Sequence, residues 1–191
     1  DDVESRGLGD VYKRQRDSLA YSCNTSFSNI GQGLKIPDFK KTTKKLLFDS
    51  KLPGNISYKE SRFALSDQAG IAERMMTAIG QGKTQVSPYH MALITSAIAN
   101  GGTLMKPYLV DSVTNYKGAV ISSTKPEKYA ELMTAKEASM LKDYMSSVTK
   151  YGTAASAMSG TSYTTAGKTG TAEYSSCLLY TSPSPRDSTS S

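Results

Sequence analysis

The sequence predicts an α/β protein of the α+β kind, in which helical segments come first and short extended segments follow. Apolar residues recur at helical spacing over most of the first hundred or so positions, and the extended segments flank a turn at 115–118. The chain is 38% hydrophobic and 21% charged, which is typical of a globular protein. We therefore expect most of a helical subdomain and only the first part of a sheet.

The first helical segments surround a polar triplet. Residues 16–21 are expected to end one helix, which is broken by Ser22-Cys23-Asn24. A second helix is expected from Thr25 to about Gln32. Pro37 can begin a third helix that continues through Phe48, since proline is favoured in a first helical turn. Residues 51–64 contain Pro53-Gly54 and are predicted to form a loop with extended pieces.

Two further helices are predicted before the sheet. Ser66 is a candidate N-cap for a helix that ends at Gly80 and Gly82. Ser87-Pro88 combines an N-cap with proline at the first helical position, and that helix should end at Gly101-Gly102. In the helix that begins at Ser87-Pro88, the apolar residues expected to pack inward are Met91, Leu93, Ile94, Ala97 and Ile98.

The last third of the chain mixes extended and helical patterns. Residues 104–114 and 119–123 should be extended, with a turn at 115–118 between them. Thr134 and Glu137 form a capping-box pattern, and an apolar stripe from Ala138 to Val148 follows it. Residues 167–172 are predicted to form a strand.

The two ends of the chain are predicted to be foreign to the rest of it. Residues 1–15 can be encoded by DNA whose opposite strand, read one base in, encodes residues 177–191. The shared DNA resembles the transposase adapter that is used to prepare sequencing libraries. We therefore expect translated adapter at 1–15 and 177–191, and an internal piece of a longer protein at 16–176. A native tail at each end is the alternative.

Composition excludes several classes of function. The net charge is +6, but the lysines are scattered and arginine is rare, so we expect a solvated surface and no nucleic-acid partner. Outside the two ends, Cys23 is the only cysteine and His90 the only histidine, which predicts no internal disulfide, no metal site and no cofactor. We expect His90 to be a packed or solvent-facing residue, and Cys23 to be a small filler facing the core.

Two triplets carry the candidate chemistry. Ser22-x-Asn24 alone is weak, since roughly 0.4 such triplets are expected by chance and the plain alternative is a helix cap. Lys168-Thr169-Gly170 is rarer, with roughly 0.03 expected by chance. A phosphate loop is excluded, because the glycine that it needs is replaced by Thr77 before Gly82-Lys83-Thr84 and by Ser162 before Gly167-Lys168-Thr169.

Taken in order, the two triplets resemble motifs of the penicillin-binding protein and serine β-lactamase superfamily. The matching stretches are SCNTSF, GKTGTAE and, between them, AIGQG followed by SPYHMALITSAIANGG. The last block looks like the class B D,D-transpeptidases of the division and elongation machineries. The resemblance implies a partial penicillin-binding transpeptidase fold, mostly helical subdomain plus the first part of the antiparallel sheet.

The resemblance also implies roles for the residues of both triplets. Ser22 would relay a proton to the leaving D-alanine, and Asn24 would bind the substrate amide. Lys168 would place positive charge near the substrate's terminal carboxylate. Thr169 would bind that carboxylate, Gly170 would let the peptide lie against the backbone, and the Thr171 N–H would be one oxyanion-hole donor.

The superfamily's nucleophile is the serine of an S-x-x-K motif that precedes the S-x-N triplet. Three S-x-x-K matches occur here, and all of them follow Ser22: Ser122–Lys125, Ser139–Lys142 and Ser147–Lys150. We therefore expect them to be decoys and the true motif to lie upstream of Arg16. The chain of residues 1–191 by itself is then expected neither to be acylated by penicillin nor to fold into a stable domain.

The implied function is peptidoglycan cross-linking through a serine acyl-enzyme, with D-Ala-D-Ala stem peptides and β-lactams as ligands. A membrane glycosyltransferase would be the partner. The parent protein would act at the extracytoplasmic face of the bacterial membrane, anchored by a segment outside this sequence. The alternatives are a serine β-lactamase or D,D-carboxypeptidase of the same superfamily, and a penicillin-sensing receptor domain without turnover.

Overall fold

The structure, a computed structural model, describes residues 15–170. Within them an α+β arrangement is observed, which confirms the predicted fold class. The first helix, α1, is described over residues 15–20. The other helices and the strands, in chain order, are α2 (Asn24–Gly33), α3 (Ile36–Lys45), α4 (Ile71–Ala78), α5 (Pro88–Ala99), β1 (Thr103–Met105), β2 (Ser112–Thr114), β3 (Val120–Ser123), β4 (Lys128–Glu131) and α6 (Ala135–Lys150).

The strands of the described residues form two antiparallel pairs. β1 pairs with β4 in the register Leu104 to Ala130, and β2 pairs with β3 in the register Val113 to Ser122. The predicted turn between β2 and β3 is confirmed: the Asn115 side-chain oxygen accepts hydrogen bonds from the N–H groups of Lys117 and Ala119. Asparagine favours such turns because its side chain can replace a backbone acceptor.

The hydrophobic core lies where α5, α6 and the β1–β4 pair meet. Leu104 of β1 and Leu132, the residue that follows β4, are buried, and Ala97 of α5 and Ala138 of α6 are fully buried beside them. Gly102 belongs to this contact, since a Cβ there would collide with the Met133 carbonyl. The core thus anchors the start of α6, whose far end carries one side of the candidate site.

Both predicted start signals of the long helices are confirmed. The Ser87 side chain accepts a hydrogen bond from the His90 N–H at the start of α5, at 3.3 Å. At the start of α6, the Glu137 carboxylate accepts from the Thr134 N–H at 2.7 Å, and the Thr134 side chain accepts from the Glu137 N–H at 3.3 Å. This reciprocal pair satisfies two N–H groups that a helix end leaves free.

Replacing Thr134 by alanine is expected to lower the free energy of unfolding by about 1 kcal/mol, because α6 loses half of its capping box. The measurement is urea unfolding of the longer protein from which residues 16–176 are expected to come. Ser139→Ala is the matched control, since Ser139 is exposed on the same helix. Equal losses for the two variants would contradict a specific role of the cap.

Three details of the predicted helices were wrong. The third helix ends at Lys45 rather than Phe48, because Leu47 adopts a left-handed backbone with φ 71°. Ser66 caps no helix: its hydroxyl accepts from the Gln68 N–H in a turn, and α4 begins after Gly70. Met91 does not fill the core, since 46% of it is exposed.

The predicted strand at 167–172 is not formed by its described part. The Gly167 N–H donates to the Met145 carbonyl of α6 at 3.1 Å, and the Thr165 carbonyl accepts from the Thr149 hydroxyl at 2.7 Å. These hydrogen bonds attach an irregular segment to a helix, and residues 163–170 pair with no strand among the described residues. Residues 171 and 172 lie outside the described residues.

α1 is held against α6 and against the turn that follows α6. Arg16 and Asp143 form an ion pair at 2.9 Å, and the Thr153 N–H donates to the Ala20 carbonyl at 2.9 Å. Gly152 permits this approach, because a Cβ there would collide with the same carbonyl. α6 therefore contacts both α1 and residues 165–167. In the part of the chain that the structure describes, no helix is long and apolar enough to span a bilayer.

Candidate active site

Ser22 lies in a tight turn between α1 and α2. Its N–H donates to the Leu19 carbonyl at 3.2 Å, and the Cys23 N–H donates to the Ser18 carbonyl at 2.8 Å. Ser22 has a φ of 53°, in the left-handed region that few residues other than glycine adopt. Such a conformation typically costs about 1 kcal/mol or more and is common where a side chain must point at a site.

Lys168 reaches this turn from the other end of the described chain. Its Nζ donates to Ser22 Oγ at 2.8 Å across 146 positions of sequence. The same Nζ donates to the Thr169 carbonyl at 3.0 Å and lies 3.4 Å from Thr169 Oγ1. Partial burial lowers the pKa of Lys168, because its ammonium group loses hydration. The proton of Lys168 is therefore easier to transfer than that of an ordinary lysine.

The other predicted residues lie around this contact. Thr169 Oγ1 is 3.0 Å from the hydroxyl of Thr153, in the turn after α6. Gly170 is exposed, with open space where a Cβ would stand. Asn24 is exposed at the first position of α2, two residues from Ser22. Thr171 lies outside the described residues. The structure thus brings Ser22, Lys168 and Thr169 together, while none of the described hydrogen bonds links the Asn24 side chain to them.

Cys23 was predicted to face the core, and this prediction was wrong. It is half-buried at the N-cap of α2, and its sulfur accepts a hydrogen bond from Ser26 Oγ at 3.3 Å. That hydrogen bond is the main cause that lowers the pKa of the Cys23 thiol. Ser26 Oγ in turn accepts from Ser18 Oγ at 3.0 Å. Cys23 is therefore part of the polar frame that holds the Ser22 turn.

The three S-x-x-K pairs are separate from this site. Ser147 is buried, and its hydroxyl donates to the Asp143 carbonyl within α6. Ser139 is exposed on the same helix, and Ser122 is exposed on β3. Within residues 15–170, no hydrogen bond joins the serine of any of these pairs to its lysine. Ser22, by contrast, is bonded to Lys168.

His90 is fully buried near the core rather than in the candidate site. Its Nε2 lies 2.7 Å from the Leu46 carbonyl, which can only accept, so Nε2 carries the proton. Its ring packs on Phe48 with centroids 4.8 Å apart. Among the described residues, no group of three or more His, Cys, Asp or Glu side chains could hold a metal ion.

The fold and the Ser22–Lys168 contact define a helical domain in which an S-x-N turn faces a Lys-Thr-Gly segment. Residues 5–178 match the family model described as the penicillin binding protein transpeptidase domain. The chain therefore belongs to the family of penicillin-binding protein transpeptidase domains.

Relatives of known structure and name agree with this membership. The chain is 30% identical over 159 residues to the peptidoglycan D,D-transpeptidase PbpA of Mycolicibacterium smegmatis, covering 83% of this chain and 32% of the relative. It resembles the D,D-transpeptidase domain of a peptidoglycan glycosyltransferase from Eggerthella lenta, with a TM-score of 0.74 and 27% identity over 84% of this chain and 42% of that one.

A second solved structure is similar to the same extent. Penicillin-binding protein A of Mycobacterium tuberculosis, in its ceftriaxone acyl-enzyme complex, gives a TM-score of 0.71 at 30% identity, covering 84% of this chain and 35% of that chain. The chain spans about a third of the length of the curated PbpA relatives, at 32% and 34%.

Proposed function

We propose that the sequence comes from a peptidoglycan D,D-transpeptidase, which cross-links stem peptides through a serine acyl-enzyme and binds penicillin. The 2.8 Å contact between Lys168 Nζ and Ser22 Oγ is the observation that carries the proposal. This hydrogen bond joins the S-x-N triplet to the Lys-Thr-Gly triplet, which are far apart in the sequence. The longer protein to which the sequence would belong is called the whole protein below.

The chemistry of the proposed reaction requires a proton to move when the acyl-enzyme forms. A serine hydroxyl attacks the carbonyl of the D-Ala-D-Ala bond, and the leaving D-alanine nitrogen needs a proton. The Ser22 hydroxyl is the proposed relay, because it can accept a proton on one side and donate one on the other. Lys168 supports this relay, since it already donates to Ser22 Oγ and its lowered pKa eases proton release.

Substrate binding is assigned to the remaining residues of the two motifs. The substrate's terminal carboxylate is proposed to accept from the Thr169 hydroxyl, beside the positive charge of Lys168. Gly170 leaves room for the peptide against the backbone. Asn24 would donate its exposed carboxamide to the substrate amide, and the N–H of Thr171 would be an oxyanion-hole donor. No cofactor or metal is assigned to this reaction.

The nucleophile is proposed to lie outside residues 15–170, in an S-x-x-K motif that precedes Ser22. The three internal matches give no alternative, since Ser147 is buried and none of the three serines is hydrogen-bonded to its motif lysine in the described part of the chain. Residues 16–176 would then contain two of the three active-site motifs. On this proposal the chain of residues 1–191 is inactive by itself.

The whole protein is proposed to act at the extracytoplasmic face of the bacterial membrane, where peptidoglycan is cross-linked. An anchoring segment outside this sequence would hold it there. A membrane glycosyltransferase of the division or elongation machinery is the proposed partner, because cross-linking needs new glycan strands. A named relative supports the chemistry: PbpA of Mycobacterium tuberculosis, 31% identical over 170 residues, is a peptidoglycan D,D-transpeptidase.

The test is to express the whole protein and to supply it with fluorescent penicillin and, separately, with stem peptides and an acceptor amine. A transpeptidase will be labelled covalently, will release D-alanine and will form a cross-linked product. A hydrolase of the same superfamily will release D-alanine or open the β-lactam without forming that product. A penicillin-sensing receptor domain will be labelled covalently but will neither release D-alanine nor form the cross-linked product. Absence of covalent labelling would overturn the proposal.

A further inference from the structure

We infer that Thr153, which neither motif includes, is a positioning residue that orients the Thr169 hydroxyl toward the substrate's terminal carboxylate. The inference rests on the proposed function, because it assigns a helper to the carboxylate-binding residue of that site. It predicts that part of the affinity for carboxylate-bearing substrates and penicillins depends on a side chain in the turn after α6.

Thr153 joins the two halves of the site. Its backbone N–H donates to the Ala20 carbonyl at 2.9 Å, two residues before Ser22. Its side-chain Oγ1 lies 3.0 Å from Thr169 Oγ1, in the Lys-Thr-Gly segment. A single residue therefore fixes the distance between the Ser22 turn and the segment that supplies Lys168. The preceding Gly152 permits this contact, since any side chain there would collide with the Ala20 carbonyl.

The direction of the hydrogen bonds follows from what each group can donate. Lys168 has only donors, and its Nζ lies 3.4 Å from Thr169 Oγ1, which leaves the single Thr169 proton to be donated elsewhere. A carboxylate can only accept, so Thr169 must donate to it when substrate is bound. The Thr153 hydroxyl must then donate to Thr169 Oγ1. A chain of hydroxyls that donate in one direction strengthens the last donor in it.

The exposure of Thr153 argues against a purely structural role. Its side chain is exposed, so it fills no gap in the core. Thr161, further along the chain, has its hydroxyl within hydrogen-bonding distance of the carbonyls of Met158 and Tyr163, both in its own neighbourhood. Thr153 is bonded instead to a site residue 16 positions away.

The test is Thr153→Val in the whole protein, which keeps the shape of the side chain and removes its hydroxyl. We expect the second-order rate constant for acylation by penicillin G to fall about three- to tenfold, the usual effect of one neutral hydrogen bond. Thr153→Ser should stay within about twofold of the unsubstituted protein, because it keeps the hydroxyl. Thr95→Val is the matched control: Thr95 is exposed on α5 and donates only to the Met91 carbonyl.

A double-substitution cycle with Thr169→Val separates positioning from general stability. If Thr153 acts through Thr169, Thr153→Val will slow acylation no further once Thr169 has lost its hydroxyl. An unchanged rate in Thr153→Val, or an equal loss in both backgrounds, would overturn the inference. Should Thr153→Val lower the melting temperature, Thr153→Ala is assessed by the same cycle. If the unsubstituted protein itself is not acylated, the proposed function fails instead.

Discussion

Lys168→Ala in the whole protein will slow acylation by penicillin by about 100- to 1,000-fold, the lower part of the range typical of removing a group that assists proton transfer. Two losses add up in this substitution. The hydrogen bond from Nζ to Ser22 Oγ disappears, and with it the polarisation of the proposed proton relay. The positive charge beside the Thr169 hydroxyl also disappears, and with it attraction for the ligand's carboxylate. The measurement is the rate of covalent labelling against penicillin concentration.

Lys142→Ala is the matched control for this loss. Lys142 is an exposed lysine of α6 and belongs to one of the S-x-x-K pairs that are expected to be decoys. Its removal should leave the labelling rate within about twofold, as for a surface substitution away from the site. A Lys168→Ala variant that reacts nearly as fast as the unsubstituted protein would contradict the assigned site. So would a Lys142→Ala variant that is slowed as much as Lys168→Ala.

The second large effect concerns the chain of residues 1–191 by itself, which will take up no fluorescent penicillin. Acylation needs a serine whose oxygen is activated by a neighbouring base. Ser22 is hydrogen-bonded to a lysine, but its proposed role is to relay a proton rather than to attack. Ser147 is buried, and its hydroxyl already donates to Asp143.

The measurement is a denaturing gel after incubation of the purified chain with fluorescent penicillin. The whole protein, treated in parallel, is the positive control. It should give a labelled band that corresponds to one penicillin per protein molecule. A stoichiometric band from the chain of residues 1–191 would show that a nucleophile lies within it. The proposal that the nucleophile is the serine of an S-x-x-K motif preceding Ser22 would then be wrong, because residues 1–21 contain no such motif.

The parts of the fold that the sequence predicted are those set by local chemistry. Ser87, the Thr134–Glu137 capping box and the Asn115 turn depend on side chains that satisfy nearby backbone groups, and the structure confirms all three. The end of the third helix was missed because Leu47 adopts a left-handed backbone. No local signal at a leucine predicts that conformation, which depends on packing around it.

The motif residues of the candidate site could be predicted from the sequence, but the residue that positions them could not. Ser22 and Lys168 belong to triplets that the sequence displays, and the structure brings them into contact. Thr153 belongs to no such triplet, and only the position of α6 places it between Ala20 and Thr169. The described part of the predicted strand, 167–170, is irregular for a related reason: a strand needs a partner, and the Gly167 N–H donates to the Met145 carbonyl of α6.

The most direct test of the central claim is to find which serine of the whole protein carries the penicillin. The whole protein is acylated with penicillin G and digested, and the modified peptide is identified by mass spectrometry. We expect an adduct on the serine of an S-x-x-K motif that precedes Ser22 and lies outside residues 15–170. An adduct on Ser22, or on Ser122, Ser139 or Ser147, would contradict it.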